Sequence, residues 1–160
     1  EPAGFDVDYC NDLGEALGVD VNVLNLTWGE RIPSLVSGKT DVVIGSTSDT
    51  LERAKTVGFT YPYFVFKFQV IANEDKNIES FDDLKNLKVG AALGTTYETE
   101  YLAYDDVVGI IAKRDEVAWI NYLNLFLVRQ IRDGNMNEAY NKHFGTDAPA
   151  DLIQSLRDNK

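Results

Sequence analysis

The sequence predicts an α/β fold on three observations. Short apolar runs that close on glycine, such as Asp41-Val42-Val43-Ile44-Gly45, have the pattern of buried parallel strands. They alternate with stretches whose apolar residues recur at helical spacing, and small hydroxyl residues fill the loops between them. With 160 residues, 44% of them hydrophobic and 26% charged, the chain has a globular composition and the length of one domain or two small ones.

The elements follow in order. Phe5, Tyr9, Leu13, Ala16 and Leu17 share one helical face, and Gly18 stops that helix. Val21 to Asn25 reads as a short strand, Trp28 to Val36 as a second helix ended by Gly38, and Asp41 to Gly45 as a strand. Ser46 to Thr50 is small or polar, and Thr50 can cap a helix from Leu51. Phe64 to Ala72 alternates as a long strand, and the polar Asn73 to Asn77 forms a crossover. A second α/β unit follows. Ser80 caps Phe81 to Leu87, Lys88 to Ala92 is strand-like, and Gly94-Thr95-Thr96 opens a helix in which Thr95 and Glu98 have capping-box spacing. Val107 to Ala112 is a strand, Glu116 to Arg132 a helix stopped at Gly134, and a last helix ends at Gly145 before a polar tail.

Composition narrows the function. Fifteen basic against 26 acidic side chains give a formal charge of -11, which repels nucleic-acid backbones and anionic membrane surfaces. No apolar run approaches the ~20 residues of a membrane helix; the richest, Val117 to Val128, is broken by Asn121 and Asn124. The single cysteine, Cys10, lies among helical apolar positions and reads as a small buried hydrophobe. The single histidine, His143, near a helix end, suits the macrodipole better than a zinc site or a catalytic triad. No metal or other cofactor is expected. The opening Glu1-Pro2-Ala3-Gly4 carries no charged-then-apolar leader, the start expected of mature or trimmed material.

Two places share a strand, a hydroxyl-rich loop and a helix start: Ile44-Gly45 through Ser48, Thr50 and Arg53, and Ala92 through Gly94, Thr95 and Thr96. Exposed amides and the positive helix end suit an anion there, at the carboxyl ends of strands. Arg53, at the third helical position, can clasp a carboxylate at two points, or it can be a solvent-exposed arginine near a helix start. Tyr104-Asp105-Asp106 offers a carboxylate for an ammonium, although acidic pairs usually sit in solvated loops. Among the aromatics, Trp28 stands between a strand end and a helix start and is favoured over the Phe59-Thr60-Tyr61-Pro62-Tyr63 run.

Together these pieces resemble the amino-acid-binding branch of the type II periplasmic solute-binding proteins, the capture subunits of ABC importers. The matching stretches run in the family's order: Gly4 to Asp8, Trp28 through Arg31 to Leu35, Asp41 to Gly45, Ser48 to Arg53, Phe59 to Tyr63, Val89 to Thr96, Gly109 to Lys113, and Tyr140 to Gly145. The resemblance implies a two-lobed clamp that closes on an amino acid by hinge motion. It implies that Arg53 holds the α-carboxylate with Thr50 and Ser48, that Thr95 and Thr96 grip it from the second lobe, that Trp28 packs on the side chain, and that Asp105 binds the α-ammonium. It further implies an extracytoplasmic monomer that delivers its ligand to a membrane permease.

The chain departs from the family's pattern. The family's strand upstream of Gly4 is absent, and the intervals Glu100 to Tyr104 and Val108 to Gly109 are short. The expected division is therefore lobe 1 over 1–72 plus 109–160 and a fragmentary lobe 2 over 73–108, with segments missing near 100–104 and 108–109. Thirty-six residues are too few for a core of their own. Two other functions fit the same fold: the ligand-binding domain of a sensor, and a dehydratase, for which Glu30 and Glu52 are the nearest acid–base candidates. Arg31 is open between favouring an acidic ligand side chain and a surface role.

Overall fold

The computed structural model describes residues 2–66, 69–98 and 106–158, leaving aside the side chain of Glu98. Helix α1, Phe5–Leu17, buries Phe5, Tyr9 and Leu13 and ends on Gly18, whose φ of 69° returns its amide to Glu15 and closes the helix. A 3-10 turn, Trp28–Glu30, leads into α2, Arg31–Val36. Strand β1, Val43–Ser48, is followed by α3, Leu51–Ala54, and by β2, Val57–Phe66. Residues 69–98 contain only 3-10 turns, at Glu74–Lys76, Phe81–Asn86 and Thr96–Glu98. Strand β3, Asp106–Lys113, returns to the sheet, and α4, Val117–Arg132, α5, Asn135–Phe144, and α6, Ala150–Asp158, complete the fold.

The sheet is ordered β1-β3-β2, and β3 pairs antiparallel with both neighbours. The two early strands thus run parallel to each other with the late strand between them, so the run Asp41 to Gly45, expected as a buried parallel strand, pairs antiparallel. Alternation along β3 feeds both faces. Val108, Ile110 and Ala112 join Tyr9, Tyr63, Leu127 and Met136 in the larger core. Ile111 joins Leu35, Val43 and Val57 in the smaller one. Pro62 is tolerated because β2 is an edge strand and its register shifts on both sides of that residue. There the Tyr61 amide donates instead to Asn124 Oδ1 on α4, at 2.8 Å.

Three expectations are corrected. Val21 to Asn25 and Lys88 to Ala92 are not strands, since neither segment pairs with a neighbour among the described residues. The strand expected at Phe64 to Ala72 is instead Val57–Phe66, and residues 69–72 lie outside any strand. The tail is not merely polar: α6 buries Leu152 and Leu156 in the larger core. The short interval at Val108 to Gly109 falls within β3, and that at Glu100 to Tyr104 lies outside the described residues. Among the described residues no helix is long and apolar enough to cross a membrane.

Candidate functional site

The end of β1 carries the site. Thr50, in extended conformation, caps α3 by accepting the Arg53 amide at Oγ1, 3.2 Å. That cap fixes the start of the turn and brings the Arg53 side chain back over the strand. Its Nη1 donates to the Ser48 carbonyl at 3.1 Å and its Nη2 to the Gly94 carbonyl at 3.1 Å. Because α3 is only four residues long, it has little macrodipole, and capacity for an anion rests on the guanidinium instead.

Ser48 is the hub. Its carbonyl receives Arg53, while its hydroxyl donates to Asp106 Oδ2 at 2.8 Å and lies 3.3 Å from Thr96 Oγ1. Tyr97 adds a longer hydrogen bond, 3.4 Å, to the same carboxylate oxygen. Ser48, Thr96 and Asp106 are all buried, and a half-buried cation and a buried carboxylate meet at the two oxygens of one serine. The like charge of Asp106 also reaches Asp49, whose pKa is raised by burial first and by Asp106 as a smaller cause.

The loop of 92–96 closes over this cluster. Gly94 has φ 81°, and a Cβ built there would stand 3.0 Å from the Gly29 Cα and 3.4 Å from the Trp28 carbonyl carbon. Glycine therefore meets both the backbone angle and the close approach of the two loops. Thr95, half-buried, turns its hydroxyl to the Ala92 carbonyl, 2.7 Å, and shapes its own loop. Trp28 is 44% exposed on the flank, with the Arg31 guanidinium carbon 3.6 Å from its ring centroid.

A second network supports β1 from behind. The buried Tyr63 hydroxyl donates to Asp6 Oδ1 at 2.9 Å and accepts the Ser46 amide at 3.0 Å, while Arg31 Nη1 donates to the Ser46 carbonyl at 3.0 Å. The bonds to its amide and carbonyl hold Ser46 at a φ of 50°, unusual for a residue other than glycine. Burial raises the Asp6 pKa, against the lowering effects of the Tyr63 hydrogen bond and the Arg31 charge.

Of the residues expected from sequence, Ser48, Thr50, Arg53 and Thr96 converge, Thr95 and Trp28 border them, and Asp105 lies outside the described residues. Asp106, its neighbour, is the acid that meets Ser48. The sequence marked the acidic pair, of which Asp106 is among the described residues. Glu30 Oε2 accepts from the amide and hydroxyl of Thr27 as part of a capping box, and Glu52 pairs with Lys55 on the exposed side of α3.

Comparison with known proteins identifies the family. The profile described as bacterial extracellular solute-binding proteins, family 3, matches residues 1–146. The L-cystine-binding protein TcyJ of Escherichia coli K12 is 36% identical over 97 residues, covering 59% of this chain and 36% of its own length. The ABC transporter arginine-binding protein 1 of the same organism is 37% identical over 98 residues, covering 61% of this chain and 40% of its own. The chain thus spans well under half the length of these relatives. In structure it resembles an ancestral arginine-binding protein bound to arginine, with TM-score 0.78 and 25% identity over 91% of this chain and 89% of that one. It also resembles the ancestral amino acid-binding protein AncCDT-1, a precursor of cyclohexadienyl dehydratase, with TM-score 0.77 and 26% identity over 89% and 86%.

Proposed function

The chain belongs to the bacterial extracellular solute-binding proteins of family 3, and on that premise we propose that it captures an amino acid outside the cytoplasm for an ABC importer. One observation carries the reading: Arg53 and Asp106 bring opposite charges to the carbonyl and hydroxyl of Ser48. An amino acid's α-carboxylate and α-ammonium are separated by a single carbon, so they need a paired cation and anion at short range. Arg53 takes the carboxylate, with the Thr96 hydroxyl beside it. Asp106 takes the ammonium in the role expected of Asp105. Trp28 offers an apolar surface to the side chain. Thr50 acts by holding Arg53, and Thr95 by shaping the loop that closes over the ligand.

The lobes are read as 1–72 with 109–160, and 73–108, which meet at this site. The relatives named for cystine and arginine binding support an amino-acid ligand. Delivery to a membrane permease by a monomer follows from the importer reading. A dehydratase on this fold is disfavoured because Glu30 and Glu52 are held by other partners on exposed turns.

A calorimetric screen of the twenty amino acids against the chain tests the proposal. Arg53→Ala should remove ~2–5 kcal/mol of binding, because it leaves a buried carboxylate without its charged donor. Asp106→Asn should weaken amino acids far more than their deaminated analogues. Near-normal affinity in the Arg53 variant, or equal losses for both ligand classes in the Asp106 variant, would refute the assignment.

A further inference from the structure

We propose that Arg31 sets the side-chain specificity of the site, selecting an amino acid whose side chain ends in a hydrogen-bond acceptor and above all in a second carboxylate. This rests on the amino-acid-binding reading and names the class of ligand within it.

The Arg31 guanidinium is a half-buried cation with little committed to it. It covers one face of Trp28 at 3.6 Å and donates one hydrogen bond, from Nη1 to the Ser46 carbonyl. A guanidinium carries five N–H donors, and among the described residues the others have no partner. Nor does Arg31 make an ion pair among the described residues. Asp6, the acid that interacts with it through charge, keeps Oδ1 on the Tyr63 hydroxyl. Burial lowers the Arg31 pKa to about 10, which leaves the group protonated at neutral pH. Such a cation is stabilised by an arriving anion more than an exposed one would be.

Its position fits one end of a ligand whose other end is held by Arg53. The two guanidiniums donate to the carbonyls of Ser46 and Ser48, two residues apart on β1. Two residues of extended chain span at most about 7 Å. That is the scale separating the two carboxylates of a four- or five-carbon dicarboxylic amino acid. The exposed part of the Trp28 ring would carry the methylenes between them, packed beside the guanidinium. A side chain ending in a cation would instead meet the charges of Arg31 and Arg53, which already interact with each other.

The test is a calorimetric panel on the full chain with L-glutamate, L-glutamine, L-norleucine and L-arginine. Glutamate is expected to bind at least about tenfold more tightly than arginine. That ratio should shrink as salt is raised, because charge on a partly open site is screened. Arg31→Met keeps the stem against Trp28 and should lower the glutamate-to-norleucine affinity ratio about tenfold. Arginine binding as tightly as glutamate, or a ratio that the substitution leaves in place, overturns the proposal. If the variant does not fold, the wild-type ranking and its salt dependence decide alone. If no amino acid binds at all, the amino-acid reading falls and takes this inference with it, a result distinct from binding without preference.

Discussion

Residues 69–98 and the sheet with its helices are held by different forces. The sheet region buries Tyr63, Ile110, Leu123, Leu127 and their neighbours in one continuous core. In the stretch 69–98 the only buried hydrophobic residue is Leu84, while Ile71 is 98% and Leu93 78% exposed. What joins that stretch to the rest is largely polar and lies at the site: Arg53 to the Gly94 carbonyl, the Ser48 and Thr96 hydroxyls, and Tyr97 to Asp106. The first region is stable through burial, whereas the second depends on docking. A ligand that bridges Arg53 and Asp106 would therefore be read out as order in 69–98, since anything that binds only the docked state stabilises it.

The largest expected effect separates the regions by stability. Leu127→Ala removes a fully buried side chain from the larger core and should lower unfolding free energy by ~2–5 kcal/mol. Leu93→Ala, at a position 78% exposed, should change it by about 0.5 kcal/mol or less. Denaturant titration of both variants checks the pair. Comparable losses would mean that 69–98 is part of the same cooperative core.

A smaller effect is expected at the seam. Gly94→Ala places a Cβ 3.0 Å from Gly29 in a backbone conformation of φ 81° and should cost ~1–3 kcal/mol, borne by the docking of 69–98 rather than by the sheet. Amide exchange should speed up across 69–98 and stay slow in β3 and α4. Uniform acceleration everywhere would show that the seam is not a separate unit of stability.

The same division explains what could be read from the sequence. The helices α1, α4 and α5 were legible because their periodicity and their stops are local, as was the cap of Thr50 on the Arg53 amide. Val21 to Asn25 and Lys88 to Ala92 have the composition of strands, but a strand exists only with a partner, and pairing is a long-range property. For the same reason nothing local announced that β3, some sixty residues beyond β1, would lie between the early strands. α6 was missed because Leu152 and Leu156 are sparse in a polar tail and find their core only after α4 and β2 are in place. At the site, the hydroxyl loop, Arg53 and the acidic pair that contains Asp106 could be read from residue type, whereas their convergence on Ser48 is a long-range property of the sheet.

The smallest effect compares two acids two residues apart on α1. Asp8 faces outward, and its Oδ2 accepts from Lys142 Nζ at 2.5 Å and pairs with His143 Nε2 at 2.6 Å, joining α1 to α5. These hydrogen bonds, Lys142 first, lower its pKa below 3.8, whereas burial raises that of Asp6 above 3.8. The consequences for stability have opposite signs. The contribution of Asp8 is present above pH 3.8 and is lost as pH falls through its lower folded value. That of Asp6 is complete below pH 3.8 and is lost as pH rises through its higher folded value. Melting temperatures from acid to neutral pH should show this in the asparagine variants. Asp8→Asn should be less stable than the parent near neutrality, with the gap closing in acid. Asp6→Asn should fare worst against the parent in acid and improve as pH rises. The Asp8 gap should be slight, since its partner Lys142 is 62% exposed and surface pairs contribute little. Parallel pH trends in the two variants would show that the helix ends respond to overall charge rather than to their own partners.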